Sequence, residues 1–452
     1  MDKLLQDAIA DAKAVRETAL ANAKLALEEA FTPHLKSMLS KKLQAEMENE
    51  DEESHDEGYH GEEEEEKDES VSEEADSSGI GASDNKDPED EAGDTSDIGQ
   101  EINRKKIINN AKKFGVKKII IKNLKNLFVK DYVFPMIRGN AIYEGVYLLG
   151  TSIARPLIAK DQIRIAKKFK AFAVSHGATG KGNDQVRFEL GYHYFGPKIK
   201  VVAPWRIWKL RSRNDLISYA KKHGIPIPKD KKGAPPFSVD DNLFHTSTEG
   251  KILENPKNSA PEFIFQRTTS PEKAPNKPTF ISINFKNGDP DGINGKKLNP
   301  ENILTKLNFI AGKNGIGRVD LVENRFIGIK SRGVYETPGG TLLIHAHRAI
   351  ESVTLDKETM HKKDSIMPRY AELIYNGYWY SKERFKLQKI IDQKRNKVNG
   401  SVKLKLYKGN ITIQSRNTKS NAYSMKKVSF EENKTFNKSN VEKFINYHKK
   451  KL

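Results

Sequence analysis

The chain has 452 residues, 36% hydrophobic and 31% charged, with a formal net charge of +17; that is room for about three domains at roughly 150 residues each, with a solvated segment among them. With no cysteine at all, disulfides, thiolate metal sites and a cysteine nucleophile are excluded. The charge is unevenly spread: residues 1–100 carry 9 Lys+Arg against 31 Asp+Glu, a net of −22, which leaves +39 on the remaining 352 residues.

In chain order, residues 1–47 read as an amphipathic helical segment, because Leu5, Ile9, Ala12, Val15, Ala19 and Ala23 recur at three- and four-residue steps. Residues 48–95 are rich in Glu, Asp, Ser and Gly, with the run Glu62 to Glu66, and bury too little to repay ordering entropy, so an acidic disordered linker is expected. From Ile98 helices and strands alternate. Arg104–Phe114 reads as helix, Lys117–Ile121 as strand, Tyr147–Phe169 as a long helix, and Ala171–Val174 and Ile199–Ala203 as further strands. This alternation predicts a parallel sheet with ligands at the carboxyl ends of its strands. The Gly/Pro/Asp-rich stretch Pro226–Asp241 marks a boundary. Beyond it strands are expected at Thr279–Phe285, Arg325–Lys330, Thr341–Ile344, Val402–Tyr407 and Ile411–Ser415, and helices at Asn299–Ile310 and Ala371–Ile391, giving a second, α+β domain. No apolar run approaches the roughly 18 residues that cross a bilayer, and Met1-Asp2-Lys3-Leu4-Leu5 lacks the basic start and apolar stretch of a secretion signal. A cytoplasmic location follows as an expectation.

Three clusters can carry chemistry. The densest runs from Ser175-His176-Gly177-Ala178-Thr179-Gly180-Lys181-Gly182 into Asn183-Asp184-Gln185-Val186-Arg187. Its glycines allow close backbone approach, its amides and Thr179 suit anionic oxygens, and Lys181 can neutralise phosphate. No Ser or Thr follows Gly-Lys, so it is not a Walker loop, and a glycine-rich surface turn is the plainer alternative. The second spans Tyr143 to Pro156, where Tyr147 and Ser152 are spaced to share one side of a helix start; aromatic residues beside glycine are also ordinary core. The third, Val322 to Gly340, gathers Glu323, Arg325, Arg332, Tyr335 and Glu336, a set suited to a zwitterion or equally to a surface ion-pair ladder.

Together with Ala203-Pro204-Trp205-Arg206, Tyr219 to Ile227 and Ser238 to Ser247, these clusters resemble the argininosuccinate synthase family from about Asp97 to Leu452. The resemblance implies a nucleotide-binding domain over 96–226, a catalytic and multimerisation domain over 227–436 and a C-terminal helix over 437–452 that reaches across a homotetramer. It implies a ligase of arginine biosynthesis that joins L-citrulline to L-aspartate with ATP and Mg²⁺, through a citrullyl-adenylate, releasing pyrophosphate and AMP. It assigns citrulline to Tyr147, Ser152, Asn183, Arg187, Ser238, Ser247, Glu323 and Tyr335, and aspartate to Thr179, Asn183 and Asp184. ATP falls to the Ser175, His176, Gly177, Ala178, Thr179, Gly180, Lys181, Gly182, Asn183 loop, with Asp184 and Lys181 the catalytic pair.

The same family carries, ahead of the segment resembling Asp97–Glu101, a first strand and a loop of the type Ser-Gly-Gly-Leu-Asp-Thr-Ser for pyrophosphate. Residues 1–95 contain no such string; Ser77 to Asp84 is their one Ser/Gly-rich stretch, with no β-run before it. A truncated parallel sheet with an uncovered edge is therefore expected. Residues 1–47 with the acidic tract are instead similar to prohead core or scaffolding proteins of tailed phages, which leaves a catalytically impaired binding or scaffold protein as the alternative function. Nucleic acid is not expected as a partner despite the +39 body, since the lysines are scattered and no reader motif is present.

Overall fold

The computed structural model describes residues 80–81, 92–100, 102–116, 118–179, 182–210, 213–225, 227, 237–419, 422–424 and 438–450. The expected helix at 1–47, most of the acidic stretch, Gly180 and Lys181 lie outside them. All the described elements belong to one compact unit, Glu69–Leu452.

The first half is built on short parallel strands. Strand β1 (Ile80–Gly81) pairs antiparallel with β2 (Ala92–Asp97), which runs parallel to β3 (Lys118–Asn123) after helix α1 (Arg104–Lys113). Helix α1 starts where Asn103 accepts the Lys106 amide at 3.0 Å, and β3 holds the β-branched run Ile119–Ile121, which suits a pleated surface. Three helical turns follow, Lys125–Phe128, Val129–Val133 and Phe134–Arg138, the middle one wound as π-helix. Helix α2 (Gly150–Lys168) is the axis of this half: fifteen of its nineteen residues are buried, and it packs on both β2 and β4 (Ala173–Ser175). Helix α3 (Asp184–Phe195) lies against α2. Strand β5 (Lys200–Val202) continues β4 in parallel, and helix α4 (Arg213–Lys222) ends the half.

The expectation of disorder up to residue 95 fails at its end. Ala92–Thr95 belong to β2 because their backbone is satisfied by β3, with Gly93 opposite Ile119 and Thr95 opposite Ile121; ladder bonding makes up for the missing large side chains. Ile80–Gly81, within the Ser/Gly-rich stretch, borders β2 on its other edge and touches β4. The edge expected to be bare thus carries a two-residue antiparallel pairing.

The second half holds two antiparallel sheets. Strands β6 (Ser238–Asp241), β7 (Thr246–Glu249), β11 (Arg318–Asn324) and β12 (Lys330–Glu336) form one in the order β11-β12-β7-β6; β8 (Thr279–Lys286), β9 (Asp289–Ile293), β10 (Lys296–Lys297), β13 (Gly400–Tyr407) and β14 (Asn410–Asn417) form the other in the order β10-β9-β8-β13-β14. Helices α5 (Pro300–Lys313) and α6 (Pro338–Thr354) pack together, and α7 (Lys357–Tyr375) lies on α8 (Lys382–Asp392). Helix α9 (Lys438–Lys449) closes the chain.

Three expectations are corrected here. Arg325–Lys330 is the tip of the β11–β12 hairpin and not a strand: Gly328 turns at φ +86° and the Arg325 amide bonds the Ile329 carbonyl. Thr341–Ile344 is helical, inside α6, because Pro338 at the first turn sets a helical φ and the apolar face continues through Ala346, Ala349 and Ile350. Ala371–Ile391 is two helices, broken where Gly377 takes φ +89° and Ser381 caps the second by accepting the Arg384 amide.

A close approach fixes the start of α2. Leu149 precedes it at φ +62°, and a Cβ on Gly150 would lie 2.3 Å from Cγ of His245. Gly150→Ala is expected to destabilise the protein by about 1–3 kcal/mol through overpacking, seen as a lowered urea midpoint with unchanged slope.

Candidate active site

The two halves meet around a polar cavity of about 210 Å³. One wall comes from strand alternation in the β11-β12-β7-β6 sheet. Successive side chains of a strand point to opposite faces, so residues two apart share one. Ser238 and Asp240 on β6, Ser247 and Glu249 on β7, Tyr335 on β12 and Glu323 on β11 all face the cavity. The register sets them side by side: Tyr335 is opposite Ser247, Ser247 opposite Asp240, and Glu249 opposite Ser238. The Tyr335 ring lies across Gly333, where a Cβ would sit 2.4 Å from the hydroxyl, and donates that hydroxyl to Glu323 Oε1 at 2.9 Å.

The opposite wall comes from the starts of α2 and α3 and the end of α7. Tyr147, just before α2, accepts the Thr151 amide at 3.3 Å, and Thr151 Oγ1 is 2.7 Å from Nε2 of buried His245. Burial first, then the surrounding guanidiniums, hold that imidazole down at about 3, so it is neutral. Asp184 opens α3 with Asn183 as its cap residue. Its Oδ2 accepts from Arg155 Nε at 2.9 Å and its Oδ1 from Arg187 Nη1 at 2.8 Å. Arg187 also donates Nε and Nη2 to the Tyr375 carbonyl, at 2.9 and 2.8 Å; that carbonyl is one of the acceptors left over where α7 ends.

These contacts divide the carboxylates. Burial alone would raise Asp184, but Arg155 and Arg187 outweigh it and hold the carboxyl below its usual range. Glu323 goes the other way: burial pushes it up, against the Tyr335 hydrogen bond and the Arg187 charge. Glu249 is raised by burial too, opposed by Arg325 at 2.5 Å. Besides Asp240, the cavity therefore holds one firmly ionised carboxylate and two that ionise less readily than in water. Glu323 Oε2 and the Tyr375 hydroxyl are both buried without a well-formed hydrogen bond, and Tyr375 lies close enough to hold the Glu323 carboxyl down somewhat.

Of the residues assigned by resemblance, Tyr147, Ala178, Thr179, Gly182, Asn183, Asp184, Arg187, Ser238, Ser247, Glu323 and Tyr335 line this one cavity. Ser152 does not; it is fully buried within α2. Ser175 and His176 sit at the carboxyl end of β4, outside the cavity wall, with Gly177 after them. His176 bonds Glu189 through Nε2 at 3.0 Å and leaves Nδ1 unpartnered. At the corresponding end of β2, Thr95 Oγ1 and Ser96 Oγ are likewise buried and unpartnered. Three orphan polar atoms at the carboxyl ends of parallel strands fit a nucleotide at that position.

The sequence reading missed Thr151, Arg155, Asp240, Glu249 and Tyr375. Asp240 and Glu249 carried a usable signal, being two residues on from Ser238 and Ser247. Tyr375 had none, since it arrives from α7 across the fold. From the third cluster, Arg325 reaches the cavity, but Arg332 lies on the other face of its strand and bonds Asp320 at 2.6 Å. Glu336 faces away and accepts the amides of Gln266, Arg267 and Thr268 at 2.7, 2.9 and 2.8 Å. Glu336→Gln, which converts an acceptor-only carboxylate into an amide, is expected to cost about 1–3 kcal/mol; a thermal melt showing no loss would contradict the geometry.

Comparison with known proteins bears directly on this cavity. Residues 90–226 match the model of the arginosuccinate synthase N-terminal HUP domain, and 237–451 that of the arginosuccinate synthase C-terminal domain. The chain is 83% identical over 358 residues to a protein of Pelagibacter ubique named argininosuccinate synthase, covering 79% of this chain and 91% of that one. It is 59% identical over 338 residues to one of Parvibaculum lavamentivorans (75% and 82% covered) and 56% over 358 residues to one of Ehrlichia chaffeensis (79% and 91%), both of the same name. With both halves matched and the cavity lying between them, the chain belongs to the argininosuccinate synthase family.

Proposed function

We propose that the chain is a ligase that condenses L-citrulline with L-aspartate using ATP, in arginine biosynthesis. The observation that carries this reading is the pairing, in one cavity, of a buried carboxylate, Glu323, and a carboxylate held anionic by two arginines, Asp184. Each is an acceptor for the ammonium of one amino acid.

In this reading Tyr147, Asn183, Arg187, Ser238, Ser247, Glu323 and Tyr335 hold citrulline, with Ser152 supporting them from within α2. Thr179, Asn183 and Asp184 hold aspartate. ATP runs along the loop from Ser175 to Asn183, which includes Lys181. The ureido oxygen of citrulline attacks the α-phosphorus and pyrophosphate leaves; the aspartate nitrogen, once its ammonium has given a proton to solvent, adds to the ureido carbon, and AMP departs carrying the former ureido oxygen. A neutral ureido oxygen leaves poorly until it is adenylated, so the first step makes the second feasible. Positioning supplies most of the rate. Asp184, kept below its ordinary range by two guanidiniums, orients the amine as an acceptor and is a weak base. Among the described residues no group of three His, Asp or Glu side chains can hold a metal, so Mg²⁺ would arrive on the triphosphate.

The homotetramer is part of the proposal. Val441, Phe444 and Ile445 recur at helical spacing on α9 and are all exposed, an apolar stripe that a neighbouring subunit would cover. A cytoplasmic location is proposed as well; among the described residues no helix is long and apolar enough to cross a membrane.

The test is citrulline-dependent release of pyrophosphate from ATP, with argininosuccinate formed on adding aspartate. One observation favours a second reading, a binding protein without turnover: residues 1–95 hold no Ser-Gly-Gly-Leu-Asp-Thr-Ser type loop, and β1 beside β2 is antiparallel. Calorimetric binding of citrulline and aspartate without pyrophosphate release would favour it. A second prediction follows from Glu323. Its carboxyl is raised by burial and pairs with an ammonium only when ionised, so citrulline affinity should rise as pH rises through the Glu323 titration, with a proton released on binding. Glu323→Gln should weaken citrulline binding by about tenfold or more and abolish the proton release measured calorimetrically in buffers of different ionisation enthalpy.

A further inference from the structure

Arg155 sits on the second turn of α2 and is 6% exposed. From there its guanidinium reaches two other elements. Nε and Nη2 meet Asp184 Oδ2 at the start of α3, at 2.9 and 2.8 Å, and Nη2 meets Asp240 Oδ1 on β6 at 2.8 Å. Its flat face lies 5.6 Å from the centre of the Phe188 ring, one turn along α3 from Asp184. The group is thus fixed on its edge by two carboxylates and on its face by an aromatic ring.

The two carboxylates belong to different parts of the cavity. Asp184 lies with Thr179 and Asn183, whereas Asp240 shares a strand face with Ser238 and stands opposite Ser247. One guanidinium therefore ties the wall assigned to aspartate to the wall assigned to citrulline. A lysine could meet either acid but lacks the planar fork that bonds both at once. We infer that Arg155 is a positioning residue: it holds Asp184 in place for the ammonium of the amino-acid nucleophile and couples that acceptor to β6, so that one side chain sets the spacing of the two amino-acid subsites. This rests on the function proposed above and adds to it a positioning role for a residue that itself lines the cavity.

The experiment compares wild type with Arg155→Gln, Arg155→Lys, Asp240→Asn and the Arg155→Gln/Asp240→Asn double variant, measuring kcat and the KM for each amino acid. Losing a charge-assisted partner should raise the aspartate KM of Arg155→Gln by about tenfold or more, with citrulline KM and kcat changed less. Arg155→Lys should recover part of that loss. Asp240→Asn should raise the aspartate KM by a smaller factor although Asp240 lies on the citrulline wall, and the double variant should be no worse than Arg155→Gln alone, as expected when two residues act through one contact. A merely structural role predicts equal effects on both KM values, additive losses and no rescue by lysine; that pattern, or an aspartate KM left unchanged in Arg155→Gln, overturns the inference. If Arg155→Gln does not fold, Arg155→Lys and Asp240→Asn decide by the same split. If wild type itself releases no pyrophosphate, the proposed function has failed; the calorimetric aspartate affinity of wild type and Arg155→Lys then decides the inference, a loss supporting it and equality overturning it.

Discussion

A carboxylate between two guanidiniums is the contact on which the cavity depends. Asp184 receives Arg155 on one oxygen and Arg187 on the other, and each arginine is anchored elsewhere: Arg155 to β6, Arg187 to the carbonyl at the end of α7. Asp184 is therefore the point where α2, α3, α7 and the β6–β7 hairpin are referenced to one another. Taking such charges out of water is costly unless each is matched, and the match here is met by fixed geometry.

Helix α2 makes that geometry rigid. It is buried along most of its length, so its first turns, which carry Thr151 and Arg155, cannot drift from the strands it packs on. The positive φ at Leu149 and the Gly150–His245 contact fix where the helix begins. A shift of one residue there would turn Arg155 away from both carboxylates.

How much of this could be read from the chain varies with distance along it. The glycine-rich run at 175–187, the serines at 238 and 247 and the Glu323–Tyr335 pair were legible because each cluster is local and its chemistry dense. The long helix at 150–168 and the strand at 118–123 were legible from apolar and β-branched runs. The hairpin tip at 325–330 was misread as strand because Phe326, Ile327 and Ile329 are apolar; they are partly exposed in a turn that Gly328 makes possible. Tyr375 and Arg155 were missed because they join the cavity through tertiary contacts, which leave no periodic trace. β2 was missed because, Thr95 apart, the run Ala92–Asp97 has weak strand preference; the ladder with β3 overrides it.

The ring of Tyr335 laid over Gly333 has a consequence for anyone wishing to reshape the cavity. Positions 333 and 335 are a single choice, since the hydroxyl reaches Glu323 only across the space that a missing methyl leaves open. A library that varies position 333 alone samples mainly displaced rings. One that pairs a small aliphatic at 335 with alanine at 333 enlarges the cavity without that clash.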